Sequence, residues 1–180
     1  MALSARHVGS TIAEIDAMDE DSFVRSVGAV VEHSPWVAAE AWRQRPFGSV
    51  AGLRLAFETA IRTAPRERRL ELLRAHPELA GREAAAGELT EASEREQRGA
   101  RLDRLTPQGL DRLRALNSDY RARFGFPFIA CVREHSVDSL LAWGTARLDR
   151  DVEAEEATAL TEVGKIVGLR LADLVTEDPA

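Results

Sequence analysis

The stretch PRERRLELLRAHPELAG, residues 65–81, predicts a helix with a defined beginning and a defined end. Pro65 suits the first turn of a helix, where its missing N–H is not needed. Leucines then recur at helical spacing until His76. Pro77 crowds the backbone of the residue before it and pushes His76 out of the helical region, so the helix must stop there. The sequence therefore places a histidine at a helix end.

The same helical spacing of apolar residues recurs along almost the whole chain. Between residues 12 and 31 it predicts one or two helices, with Asp19 or Asp21 able to cap the second. Further helices are expected at 37–42, from Ser49 to the residue before Pro65, from Thr90 onward, over 107–124 with Thr106 before it and Gly125 as its end, and at 139–148 and 152–174.

One apolar segment lacks the helical pattern. FGFPFIACV, residues 124–132, contains Gly and Pro and could form a strand or an extended loop. Because the sequence offers no second strand to pair with it, we expect an extended loop. The chain has no internal repeats or Gly/Ser-rich linkers, so one domain over residues 1–180 is predicted. The expected fold class is all-α, an irregular bundle of about eight helices.

Composition restricts the class of partner. The formal net charge of −6 argues against nucleic-acid binding, because neutralising phosphates needs clustered, unopposed Lys and Arg. The sequence has no apolar run long enough for a membrane span and no secretory signal pattern. The single cysteine, Cys131, lies in an apolar run and is expected to be a buried thiol. We therefore expect a cytoplasmic protein.

Arg170 lies in or beside the apolar stripe of the last predicted helix. A guanidinium in that position needs a partner. It could form an internal salt bridge with a carboxylate, or its stem could pack while its head stays in water. It could also bind an anion at the floor of a cleft.

Ser93, Glu96 and Gln97 share one face of the helix predicted from Thr90, at spacings of three and four residues. In most helices a polar face of this kind is simply solvated. A hydroxyl, a carboxylate and an amide together would also suit a small ligand rich in ureido or amide groups. The spacing alone does not choose between these possibilities.

His76 also has alternatives: a helix cap favoured as imidazolium, a buried structural residue, or a catalytic base that faces a pocket. Metal binding has no local signature, since the sequence lacks H-E-x-x-H, paired cysteines and a histidine pair one helical turn apart. Gly-rich phosphate loops and G-x-S-x-G are also missing, which argues against nucleotide enzymes and α/β-hydrolases.

Several segments together resemble one enzyme family. They are EHSPWVAAEAW (32–42), RPF (45–47), LLRAHPELAG (72–81), LTEASEREQ (89–97), RFGFPFIACV (123–132), ARLDRDVEAEEATALTEVGKI (146–166) and LRLADL (169–174). In this order and spacing the chain resembles, over about residues 8–175, the 2-oxo-4-hydroxy-4-carboxy-5-ureidoimidazoline (OHCU) decarboxylases. These enzymes catalyse the last step from urate to (S)-allantoin. Glu78 is a small departure, because Asp is common there.

The resemblance implies an all-α homodimer that acts on a small ureidoimidazoline without metal or organic cofactor. It implies that His76, oriented by Glu96, is the catalytic acid or base, with a pKa near neutrality. The substrate-binding residues that it implies are Pro77, Ser93, Gln97, Phe126, Phe128, Ile129 and Arg170.

Two other functions remain open on the sequence. The chain could be a helical interaction module, with Trp36, Trp42 and Phe47 forming a groove for a partner. It could also be a lyase or hydrolase that acts on another purine ureide.

Overall fold

The computed structural model describes residues 9–81, 86–87, 89–100 and 102–179. The described residues form nine α-helices and three one-turn 3₁₀-helices. This confirms the predicted all-α fold. The α-helices are α1 (Ile12–Asp16), α2 (Glu20–Val27), α3 (Pro35–Trp42), α4 (Val50–Thr63), α5 (Arg66–Ala75), α6 (Glu91–Gly99), α7 (Pro107–Phe124), α8 (Val137–Arg147) and α9 (Val152–Leu174).

Two short strands join the two ends of the described chain. Strand β1 (Ser10–Thr11) pairs in parallel with β2 (Val175–Thr176), so the start of α1 is held beside the end of α9. Helix α4 packs against both α3 and α9. The core therefore lies between the N-terminal helices and the long C-terminal helix. None of the described helices is long and apolar enough to cross a membrane.

The ends of several helices lie where the sequence predicts them. Thr106 accepts a hydrogen bond from the N–H of Gly109, and Gly125 ends α7 in the left-handed conformation at φ 79°. Asp19 caps α2 by accepting from the N–H of Ser22. These signals are local in sequence, which is why they identify helix boundaries without knowledge of the fold.

Helix α5 ends as Pro77 requires. Its last residue is Ala75, and His76 has extended backbone angles of φ −69° and ψ 131°. Because the helix ends at Ala75, two residues before the proline, the imidazole of His76 projects from a junction instead of from a helix face.

The aromatic residues of the N-terminal helices serve the core. Phe47 is buried and stacks on Phe23 with ring centroids 5.6 Å apart. Trp42 donates its indole N–H to the carbonyl of Met18. Phe47 therefore faces inward and cannot line a surface groove with Trp36 and Trp42, as the interaction-module alternative requires.

The segment 125–131 is an extended loop, as predicted, with its apolar side chains in the core. Phe128 packs against Tyr120 and against the edge of Trp143. Cys131 is buried, and burial raises the pKa of its thiol to about 11. The thiol is therefore protonated and unreactive near neutral pH.

Two buried charges hold this loop. Arg147, which is 0% exposed, forms an ion pair with Glu155 and donates a hydrogen bond of 2.9 Å to the carbonyl of Ile129. Glu162 accepts from the N–H of Cys131 at 2.8 Å. Both anchors come from α8 and α9, so the loop is fixed to the long C-terminal helix.

Candidate active site

The polar face of α6 is buried. Thr90 caps the helix by accepting from the N–H of Ser93. Ser93, Glu96 and Gln97 all lie inside the protein. The alternative in which this face is merely solvated is therefore wrong, because all three side chains are withdrawn from water. Buried polar groups need hydrogen-bond partners within the protein.

Arg170, on α9, is the main partner of this face and is only 4% exposed. Its Nε and Nη2 donate to the two carboxylate oxygens of Glu96 at 2.9 and 2.7 Å, a bidentate arrangement. Nη2 also donates to Oγ of Ser93 at 3.0 Å, and Nη1 to the carbonyl of Val30 at 3.2 Å. The internal salt bridge is confirmed, and the snorkelling alternative is wrong.

A second carboxylate, Glu32, completes the buried cluster. It lies 3.1 Å from Nη1 of Arg170 and accepts hydrogen bonds from the hydroxyls of Thr90 and Ser93. Burial alone would raise its pKa, but these two hydrogen bonds and the charge of Arg170 lower it below the usual value. Glu32 is therefore ionised at neutral pH.

Glu32 is not among the site residues predicted from the sequence. The one signal was its position directly after the apolar residues Val30 and Val31, where an acid is out of place unless it has a partner. Its partners lie between 58 and 138 residues further along the chain, so no local pattern could find them.

His76 is partly buried beside this cluster. Burial lowers the pKa of its imidazole to about 4, the charge of Glu32 opposes this shift, and Arg170 and His33 add to it. The expected pKa near neutrality is therefore wrong for this site. A helix cap that acts as imidazolium is disfavoured for the same reason, and His76 carries a neutral ring at neutral pH.

No hydrogen bond joins His76 to Glu96 within the described ranges. Both oxygens of Glu96 are occupied by the guanidinium of Arg170. The carboxylate whose charge acts on the imidazole is instead that of Glu32.

The turn after His76 is fixed by side chains from two other helices. Oε1 of Gln97 accepts from the N–H of Ala80 at 2.9 Å. Nδ2 of Asn117, on α7, donates to the carbonyl of Leu79 at 3.1 Å. Gly81 permits the close return of the chain, since a Cβ there would lie 2.5 Å from Cβ of Glu78. These contacts fix the backbone of the turn that follows His76.

We expect Gln97→Leu to destabilise the protein and reduce its activity. The change leaves the N–H of Ala80 without its acceptor, which costs about 1–3 kcal/mol when the group is buried. Urea denaturation measures the free energy of unfolding, and Gln108→Leu, at an exposed position of α7, is the control. Equal stability of the two variants would contradict this role for Gln97.

The loop residues Phe126, Phe128 and Ile129 are buried in the core, where Phe126 stacks on Phe124 and Phe128 packs against Tyr120 and Trp143. The carbonyl of Ile129 accepts from Arg147. The loop continues into a 3₁₀-helix, Val132–Glu134, that packs against α6. Backbone contacts from this loop to a ligand remain a prediction.

A cleft of about 280 Å³ reaches the guanidinium of Arg170. Its walls include Arg95 and Arg133, and Arg133 lies 3.8 Å from Glu96 and 2.7 Å from Asp173. His76 is not among the described residues that line it. Glu91 and Asp173 also line the cleft, and Arg133 and Arg170 are already paired with carboxylates. Anion binding by Arg170, the third alternative, therefore stays a prediction.

Another group of acidic residues and a histidine lies at the far end of the loop. Oxygen and nitrogen atoms of Glu134, His135 and Glu162 lie within 4.8 Å of one another, a spacing that could suit a metal ion. The ammonium of Lys165 lies 2.9 Å from both carboxylates. Its positive charge already occupies the position that a cation would take.

The lowered pKa of His76 should make stability depend on pH. Between its ordinary value of 6.5 and about 4, the unfolded chain binds a proton that the folded chain does not. The lowered pKa therefore contributes to the free energy of unfolding. This contribution is complete above pH 6.5 and is lost as the pH falls toward 4. We expect the wild type to lose more free energy of unfolding than His76→Gln between about pH 7 and about pH 5. Equal losses in urea titrations would contradict the shift.

An all-α domain that gathers a neutral imidazole, two carboxylates and a guanidinium is the arrangement expected of an enzyme that acts on a small molecule. The chain belongs to the OHCU decarboxylase family, whose model matches residues 16–172. This confirms the resemblance found in the sequence.

Curated relatives support the assignment over most of the chain. An OHCU decarboxylase of Haloferax volcanii is 45% identical over 163 residues, which are 91% of this chain and 95% of the relative. The enzyme of Mus musculus is 41% identical over 91% of this chain and 92% of the relative.

Solved structures show the same fold. A crystal structure of (S)-allantoin synthase matches with a TM-score of 0.74 and 26% identity, over 93% of this chain and 54% of that one. A crystal structure of an OHCU decarboxylase in the presence of (S)-allantoin matches with a TM-score of 0.67 and 22% identity. It spans 87% of this chain and 98% of that one, and at this identity it supports the fold alone.

Proposed function

We propose that the chain converts OHCU to (S)-allantoin and CO2. It is a carboxy-lyase of urate degradation, as family membership over residues 16–172 indicates. The observation that carries the proposal is the burial of Ser93, Glu96 and Arg170 in one hydrogen-bonded cluster, beside His76.

The substrate itself supplies the electron sink. Its carboxylate is attached to a carbon next to a ring C=N bond. When the bond to the carboxylate breaks, CO2 leaves, the electron pair moves toward the imine nitrogen, and this nitrogen takes up a proton from water. The hydroxyl-bearing carbon then becomes a carbonyl, and its neighbour gains a proton on one face. No metal or organic cofactor is required for these steps.

His76 is the proposed acid or base for these proton transfers. Its neutral ring can accept the proton of the 4-hydroxyl near neutral pH, and the imidazolium can return a proton to the neighbouring carbon. Pro77 keeps the imidazole at the helix end. Delivery of the proton to one face of the planar intermediate would set the (S) configuration of the product.

The remaining residues bind and orient the substrate. Ser93, Gln97 and the backbone of the loop at Phe126, Phe128 and Ile129 are proposed to bind the ureido arm. Arg170 is proposed to bind an anionic or carbonyl group, with Glu96 orienting the guanidinium. Since the N–H groups of Arg170 already have protein partners, substrate binding requires that at least one of them be exchanged.

The experiment that tests the function follows the optical activity of the product. The intermediate is generated from urate by the upstream enzymes, the chain is added, and circular dichroism records allantoin. We expect (S)-allantoin to form faster than in the control without the chain. Racemic product at the uncatalysed rate would show that the chain is not this decarboxylase.

Removal of metal ions should leave the activity unchanged. Dialysis against EDTA removes exchangeable divalent ions, and the proposed steps use only side chains and the substrate's own imine. The same dichroism assay before and after dialysis provides the measurement. A loss of activity that zinc or magnesium restores would contradict the cofactor-free mechanism.

The expected assembly and location are part of the proposal. Family resemblance favours a homodimer in the cytoplasm, with no nucleic-acid or membrane partner. The net charge of −6 is consistent with the absence of a nucleic-acid surface. Sedimentation equilibrium distinguishes a dimer from the 19.8 kDa monomer.

A further inference from the structure

Glu32 is a buried charge to which the proposed mechanism gives no role. It lies between the 3₁₀-helix Gly28–Val30 and α3, and it is 7% exposed. Its carboxylate accepts from two hydroxyls at the start of α6 and contacts the guanidinium on α9. One carboxylate thus connects three elements that are distant in sequence.

The charged groups around Glu32 leave the cluster short of positive charge. Arg170 faces it from α9, but this guanidinium is shared with Glu96 of α6. Arg133 is a half-exposed cation 3.8 Å from Glu96. His33 is the neighbour of Glu32 in sequence, and the negative charge of Glu32 raises the pKa of His76, at the end of α5, against the effect of burial. Two buried carboxylates therefore share one buried guanidinium.

We propose that Glu32 is a positioning residue that holds Ser93 and Arg170 in place and stabilises, through its negative charge, the imidazolium that His76 becomes during turnover. The inference rests on the proposed role of His76 as the base. A proton that moves from the substrate hydroxyl to His76 creates a positive charge in a partly buried place. Arg170 neutralises Glu32 only in part, because it also pairs with Glu96. The remaining negative charge of Glu32 offsets the positive charge of the imidazolium.

An amide could not replace this carboxylate without loss. Thr90, Ser93 and Arg170 all approach Oε1 of Glu32 as donors, so this one oxygen serves three groups at once. A neutral amide oxygen has two lone pairs and is a weaker acceptor than a carboxylate oxygen. The negative charge would also be missing, which makes protonation of His76 less favourable.

The test is Glu32→Gln, with kcat and KM measured across a range of pH by the dichroism assay. We expect kcat to fall by about 10- to 100-fold, the range typical of removing the outer partner of a metal-bound histidine. KM should change much less. The acidic limb of the kcat profile should move to lower pH, because the imidazole without its anion binds a proton less readily.

A second readout needs no substrate. NMR titration of the imidazole signals, assigned with His76→Gln, gives the pKa of His76 directly in the wild type and in Glu32→Gln. We expect a lower value in the variant. Glu156→Gln is the matched control, because Glu156 is also a buried glutamate with an arginine partner, Arg66, at the opposite end of α5. Glu156→Gln should change neither the acidic limb of the kcat profile nor the pKa of His76.

The outcomes separate the inference from the function. The role of Glu32 is overturned if the wild type is active and Glu32→Gln has the same kcat, the same acidic limb and the same pKa of His76. That result leaves the decarboxylase function intact. An inactive wild type overturns the function, while the titration still tests the effect of the charge. If Glu32→Gln does not fold, Glu32→Asp withdraws the charge by one methylene and should shift both readouts in the same direction. Unchanged readouts in a folded Glu32→Asp overturn the inference.

Discussion

Replacement of His76 by glutamine should lower kcat/KM for OHCU decarboxylation by about 10²–10⁴-fold, the usual contribution of a positioned acid or base. Glutamine retains a polar side chain of similar size, but it cannot accept and return a proton near neutral pH. The neutral state of the imidazole makes it available as a base without prior loss of a proton. The dichroism assay with limiting enzyme gives the rate.

His135→Gln is the matched control for this experiment. His135 stacks on Trp143 with ring centroids 4.8 Å apart and lies near the 3₁₀-helix that follows the loop. It contributes to packing and not to the cluster of Glu32, Glu96 and Arg170, so its loss should leave kcat/KM almost unchanged. Equal losses in the two variants would mean that the effect at His76 is structural.

The helix boundaries could be predicted because their causes are local. Thr106 and Gly125 mark the ends of α7 through a side-chain cap and a left-handed residue. Pro77 stops α5 through a clash with its own neighbour. None of these effects depends on which helices later pack together, so a single sequence is enough to recognise them.

The buried cluster could be predicted only in part. The spacing of Ser93, Glu96 and Gln97 places them on one face but cannot say whether this face meets water or protein. Arg170 gave a stronger signal, because a guanidinium in an apolar stripe requires a buried partner or an escape to water. The sequence could not choose that partner, since Glu96 lies 74 residues away.

Glu32 and the pKa of His76 could not be predicted, for a related reason. The pKa of a histidine depends on how completely water is excluded and on which charges surround it, and both are properties of the packed protein. The family resemblance suggested a carboxylate partner for His76 but not the second carboxylate. Only in the assembled protein does the charge of Glu32 act on the imidazole.

Replacement of Arg170 by methionine should have the second large effect. It leaves the buried carboxylates of Glu32 and Glu96 without their guanidinium, and breaking a buried ion pair costs about 3–5 kcal/mol. The variant should also lose decarboxylase activity, because Glu96 and Ser93 lose the donor that orders them. Urea denaturation and the dichroism assay provide the two measurements.

Arg170→Lys should lie between the wild type and the methionine variant. It keeps the charge, but an ammonium has three N–H donors and no planar fork, so it cannot hold Glu96 bidentately and also reach Ser93. Arg43→Met is the control, since Arg43 and Glu40 are both exposed and their pair should contribute about 0–1 kcal/mol. Unchanged kinetics in Arg170→Lys would show that the fork has no part in turnover.

The pH dependence of the methionine variant identifies the cause of its instability. With Arg170 present, the pKa of Glu32 is lowered and the ionised form is favoured. Without the guanidinium, one of the influences that lower the pKa of Glu32 is lost, so this pKa is higher in the folded variant than in the folded wild type. The stability deficit of Arg170→Met relative to the wild type should therefore shrink as the pH falls, since protonation removes the unpaired charge. A deficit that stays constant with pH would instead mean that the lost packing of the arginine stem, and not the stranded charge, destabilises the variant.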